Sequence, residues 1–126
     1  MDEASERMAT NIRKGVLEFC VLALLSGRDM YGLELAETLV ERGLTASEGS
    51  LYPLLARMRE SGAVETRWEP GDGTRARRYY AITSAGRAQL ATFRAVWQTL
   101  SPRVAELLDD AHRDDPATSP ASKEHR

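Results

Sequence analysis

The chain has 126 residues and a mass of 14.0 kDa. That is enough for one modest core plus an appendage and too little for a scaffold such as an α/β barrel of about 250 residues. Its one cysteine, Cys20, excludes an internal disulfide and a cysteine-cage zinc site. The net charge of −2 is unevenly spread: residues 73–104 carry Arg75, Arg77, Arg78, Arg87, Arg94 and Arg103 and no acid, between acidic ends. Such a segment can attract phosphates even in a slightly acidic protein, although a charge run by itself is more often a solvated face.

Residues 1–10 are polar and aperiodic, which predicts a flexible N-terminal tail. Thr10 or Asn11 can cap a first helix that runs to about Ser26 and stops at Gly27. Val16, Leu17, Cys20, Val21, Leu24 and Leu25 give it a wide apolar face. The apolar run there contains Glu18 and is too short to cross a bilayer, which takes about 20 apolar residues. A cytoplasmic protein without a membrane partner is therefore expected, and one unpaired cysteine fits a reducing compartment. Cys20 on an apolar face is expected to be a buried, inert thiol.

Asp29 can cap a second helix from Met30 to Arg42, with Leu35, Leu39 and Val40 turned inward and Gly43 ending it. After a short link, Ser47 is expected to cap a third helix that ends at Gly62. Leu51, Leu54, Leu55 and Met58 form one stripe along it. Pro53 lacks an amide donor, so either the helix bends there or its regular part starts after Ser47.

Val64, Thr66 and Trp68 alternate with Glu65, Arg67 and Glu69, the pattern of a half-buried strand. The turn cluster Pro70–Gly73 and the β-prone run Arg75–Ile82 complete a hairpin.

Thr83 or Ser84 starts a last helix to about His112. Leu90, Phe93, Trp97, Leu100, Val104, Leu107 and Ala111 recur along it at alternating spacings of 3 and 4. This is an a/d seam of about 33 Å, longer than a small domain can cover. The helix can pack back on its own first helix, and from Phe93 onward the seam is expected to face a second copy. Ser101–Pro102 interrupts the pattern, to be absorbed either by a kink or by Ser101 capping a second segment that opens on Pro102. Residues 113–126 are polar, with Pro116 and Pro120, and are expected to form a disordered tail.

The element order is that of a winged helix-turn-helix, a mainly α fold with a β-hairpin wing. Its third helix enters the major groove and its hairpin touches the flanking backbone. Residues 11–83 would form this domain and residues 84–112 a C-terminal dimerisation helix. Opposite its leucine stripe, the third helix carries Gly49, Pro53, Ala56 and Glu60, flanked by Ser50, Tyr52 and Arg57. Small residues in the middle permit close approach, and hydroxyls and a guanidinium at the edges suit phosphates and base edges. On the hairpin, Arg75 and Arg77 share a strand face with Tyr79, while Arg78 lies on the other and is expected to be a structural or ion-pairing residue.

The stretches NIRKGVLEFCVLALL, MYGLELAETL, SEGSLYPLLARMRESGAVE and RARRYYAITSAGR resemble, in this order, the PadR family of bacterial transcriptional regulators. The resemblance covers about residues 11–100, and the single last helix is similar to that of the small-subfamily members. It implies a homodimeric repressor of a palindromic double-stranded operator, released by a small aromatic or drug-like effector. By position it implies that Ser47, Ser50, Tyr52, Pro53 and Arg57 lie near DNA and that Arg75 and Arg77 reach phosphate or the minor groove. Leu90, Phe93, Trp97, Leu100, Val104 and Leu107 are the expected dimer seam. In some small-subfamily members an aromatic on this helix stacks on planar ligands between subunits. Trp97, with Phe93 beside it, holds a similar position, where a plain seam residue is the other reading. A break at Pro102 is not a family feature.

No enzyme, cofactor or metal is expected. The two histidines, His112 and His125, lie at a helix end and in the tail, and no Cys–His pair, HExxH or phosphate loop occurs. The rival reading is a winged-helix module that binds protein and has no sequence-specific DNA binding.

Overall fold

A computed structural model describes residues 2–45, 47–71 and 75–113. Its elements are α1 (Glu3–Lys14), α2 (Leu17–Leu25), β1 (Met30–Tyr31), α3 (Gly32–Glu41), α4 (Leu51–Glu60), β2 (Val64–Glu69), β3 (Arg77–Ile82) and α5 (Ser84–Arg113). The strands form one antiparallel sheet in the order β1-β3-β2, with Tyr31 opposite Tyr79, Val64 opposite Ile82 and Trp68 opposite Arg78. The described residues fall into two compact units, divided between Ala91 and Thr92.

The core belongs to the first unit. Val21, Leu22 and Leu25 of α2, Leu35, Ala36 and Leu39 of α3, and Leu51, Leu54, Leu55 and Met58 of α4 meet Val64 and Tyr80 of the sheet. Burying one such leucine contributes about 2 kcal/mol. Thr83 fixes the start of α5: its hydroxyl accepts from the Gly86 amide at 3.0 Å and donates to the Gly62 carbonyl at 2.6 Å. Gly86 is required there, because a Cβ would stand 2.2 Å from the Ala63 carbonyl oxygen. Gly43 and Gly62, with φ of 73° and 86°, end α3 and α4 as left-handed residues.

Several elements depart from the sequence expectation. The expected tail over residues 1–10 is mostly helical, because α1 begins at Glu3, with the Asp2 carboxylate accepting from the Ser5 amide at 2.7 Å. That bond holds the Asp2 carboxyl below its ordinary pKa. The single first helix is in fact α1 and α2, interrupted at Gly15–Val16. Asp29 does not cap α3. It accepts from Arg67 at 2.5 Å, while Met30 and Tyr31 join the sheet edge and α3 starts at Gly32. Val40 is exposed and Ala36 takes the inward place.

Ser47 does not cap α4, which starts at Leu51; Pro53 therefore sits in the first turn, where its missing donor costs no helical bond. Trp68 is 62% exposed and does not join the buried strand face. Of the two alternatives at Ser101–Pro102, the split does not occur: α5 is one helix with Pro102 inside it. Arg113, the first residue of the expected tail, still belongs to α5, and residues 72–74 and the tail from residue 114 on lie outside the described residues.

Candidate nucleic-acid interface

The α4 helix divides cleanly. Leu51, Leu54, Leu55 and Met58 are buried, whereas Tyr52, Pro53, Ala56, Arg57 and Glu60 are exposed, as are Ser47, Gly49 and Ser50 before it. A Cβ at Gly49 would meet nothing within 4 Å, so neither packing nor a left-handed backbone requires glycine there. The smallness of this outer face leaves room for a surface to approach.

Ser50 has a local duty. Its hydroxyl donates to the Ser47 carbonyl at 2.9 Å and lies 3.0 Å from the Thr45 hydroxyl, tightening the turn that delivers α4. Tyr52 is exposed but rests along one edge on α3: its Cε1 would lie 3.3 Å from a Cβ at Gly32. Burial raises its phenol pKa, so the hydroxyl stays protonated and can donate or accept at neutral pH.

The sheet supplies the wing and sorts its arginines. Arg67 is held by Asp29 and Glu69, both at 2.5 Å, and lies 5.2 Å from the Tyr79 ring centre. Those two carboxylates raise its pKa and cancel its charge toward solvent. Arg78 is half-buried and stacks 4.8 Å over Trp68, and its buried Nε has no hydrogen-bond partner among the described residues. Arg77 is exposed, rests 4.5 Å over the Tyr31 ring, and makes no ion pair among the described residues. A cation on an aromatic shelf keeps its guanidinium edge available to an anion. Arg75 is exposed just before β3. The structure thus exposes all seven expected DNA contacts: Ser47, Ser50, Tyr52, Pro53 and Arg57 on and before α4, and Arg75 and Arg77 at the wing.

In the second unit, Phe93 and Trp97 stack at 5.7 Å with their planes 19° apart. Trp97, Leu100, Val104 and Leu107 are each 47–70% exposed. Leu90, in the first unit, differs: it is half-buried against the core.

One neighbourhood is not visible in the sequence pattern. Arg13 and Lys14 of α1 line a cleft of about 600 Å³ together with Ser47, Ser50 and Arg57. The available signal was local, a helix with acidic first and basic last turns, and nothing in it indicates which element α1 would adjoin.

These features define a class, the winged helix-turn-helix transcription factors. Residues 21–92 match the model of the transcriptional regulator PadR-like family. The chain belongs to the PadR-like family of transcriptional regulators. It is 32% identical over 92 residues to the transcriptional regulator Rv3488 of Mycobacterium tuberculosis, covering 73% of this chain and 85% of that protein. A crystal structure of a PadR-like transcriptional regulator from Bacillus cereus is similar with a TM-score of 0.71 and 40% identity, over 78% of this chain and 96% of the other. A PadR family regulator from Eggerthella lenta reaches a TM-score of 0.75 at 31% identity, over 85% of this chain and 94% of the other. The chain is accordingly a regulator and not an enzyme. Among the described residues no helix is long and apolar enough to cross a membrane.

Proposed function

We propose that this regulator is a homodimeric repressor that reads a palindromic operator, with α4 of each copy in a major groove and the wing on the flanking backbone. The observation that carries this reading is the combination of an open, small-residue outer face on α4 with an exposed Arg77 on the wing that makes no ion pair among the described residues. Arginine contacts to phosphate supply salt-dependent affinity and α4 supplies base choice. Two copies join through α5, whose exposed Trp97, Leu100, Val104 and Leu107 repeat at seam spacing. Their α4 helices then stand about one DNA turn, roughly 34 Å, apart.

The stacked, part-exposed Phe93–Trp97 pair supports a small aromatic or drug-like effector at that seam. Such a ligand releases DNA only by binding one spacing of the two copies better than the other. A gel-shift titration against the protein's own upstream DNA tests the proposal. A specific retarded complex that weakens with salt is expected; no retarded band at low salt, or weak and salt-insensitive binding, would contradict it.

A further inference from the structure

The last turn of α1 ends in Arg13 and Lys14, and both precede the residues that match the family. At Gly15–Val16 the chain leaves α1: the Gly15 amide bonds to Ile12 at 3.2 Å and the Val16 amide to Arg13 at 3.0 Å. Beyond this break α2 begins at Leu17. Arg13 and Lys14 then line the same cleft as Ser47, Ser50 and Arg57, at the approach to α4. Leu17 and Leu54 add an apolar portion to the lining. No carboxylate among the described residues lines the cleft. Arg13, Lys14 and Arg57 make no ion pair among the described residues, whereas Arg7, Arg28 and Arg67 each do.

Basic residues at a helix C-terminus usually answer the helix dipole. That explains Arg13 and Lys14 on α1 but not their meeting with Arg57 from a second helix. Three like charges around one cleft repel each other unless an anion sits among them. The lining is cationic on one side and apolar on another, which matches a phosphodiester: charged oxygens toward the guanidiniums and ammonium, sugar carbons toward the leucines. The cleft also adjoins the α4 face already given to the duplex.

We propose that this cleft seats a backbone phosphate of the operator, making α1 a third DNA-contacting element beside α4 and the wing. The inference rests on the DNA-binding reading of α4. Arg13, Lys14 and Arg57 are the donors, because the Ser50 hydroxyl proton is already given to Ser47.

The test compares the full chain with its Arg13→Gln/Lys14→Gln variant, measuring operator affinity between about 50 and 200 mM salt. Two lost phosphate contacts should make the slope of log affinity against log salt shallower by about 1.8. The fall in affinity over that range should then be about ten-fold smaller than for the unaltered protein, equally on operator and unrelated duplex. The Arg13→Lys/Lys14→Arg variant keeps both charges and should keep the original slope, which separates loss of contact from damage to α1.

An unaltered slope in the double glutamine variant, with normal operator binding by the parent, overturns the inference and leaves the DNA reading intact. No binding by the parent overturns the DNA reading itself. Saturable NMR shifts at Arg13 and Lys14 with inorganic phosphate, together with an unaltered DNA slope, would assign the seat to a free anion and overturn the proposal.

Discussion

The two compact units treat their apolar residues in opposite ways. In residues 1–91 seven of the ten leucines of α2, α3 and α4 are buried, Leu22, Leu35, Leu39, Leu51 and Leu55 fully so, while Leu17 and Leu24 are half-buried and Leu33 is exposed. In the described part of the second unit, Trp97, Leu100, Val104, Leu107 and Leu108 all remain substantially exposed along one helix. Both stretches have helical apolar periodicity, so periodicity by itself does not tell a core from an interface. Exposure does. A stripe of this length exposed among the described residues is the kind of surface that a second helix covers.

The sharpest way to break that contrast is a matched pair of truncations. Leu55→Ala should cost about 2–5 kcal/mol of folding stability, because it opens a cavity in a packed core. Leu100→Ala should leave the unfolding of the first unit within about 0.5 kcal/mol and instead weaken self-association. Denaturant titrations at two protein concentrations check both. Equal losses of stability that are independent of concentration would show that the two regions do not differ.

Gly86→Ala probes the link between α4 and α5. The added methyl meets a backbone oxygen that cannot swing away, so a loss of about 3 kcal/mol is expected in thermal or denaturant unfolding. Arg77→Ala should leave stability unaltered, weaken binding to all duplexes alike, and make the salt slope shallower by about 0.9. An unaltered slope in filter-binding or anisotropy titrations would remove Arg77 from the contacts.

The smallest effect is electrostatic. The hydrogen bond from Arg28, at 2.5 Å, holds the Glu34 carboxyl below its ordinary value of 4.5. A depressed folded pKa contributes stability above the unfolded value and loses it as pH falls through the folded one. The Arg28 side chain is 62% exposed and that of Glu34 26%, so solvent still screens the pair and Glu34→Gln should cost about 1 kcal/mol at neutral pH. The difference from the parent should vanish on acidification below the carboxylate range, as read by unfolding at several pH values.

Much of the first unit could be read from residues because its signals are local. The leucine stripe of α4, the alternation beginning at Val64 and the glycines at 43 and 62 each report a structure that their neighbours make. The outer face of α4 followed from the same periodicity. Features that depend on distant partners were not legible. β1 is two residues long and exists only because Tyr79 and Tyr80 pair with it. Asp29 resembles a helix cap until Arg67, 38 residues away, claims its carboxylate. α1 buries no residue and so carries no core pattern; its signature is a capping Asp2 with acids first and bases last. By alternation Trp68 shares a strand side with the buried Val64, but it stands exposed against Arg78 on the neighbouring strand.

Sedimentation equilibrium of the full chain at micromolar concentration bears most directly on the seam. A homodimer clamped along α5 predicts a single species of twice 14.0 kDa that dissociates when Leu100 and Val104 are both replaced by aspartate. A species of 14.0 kDa that still binds its operator would contradict it.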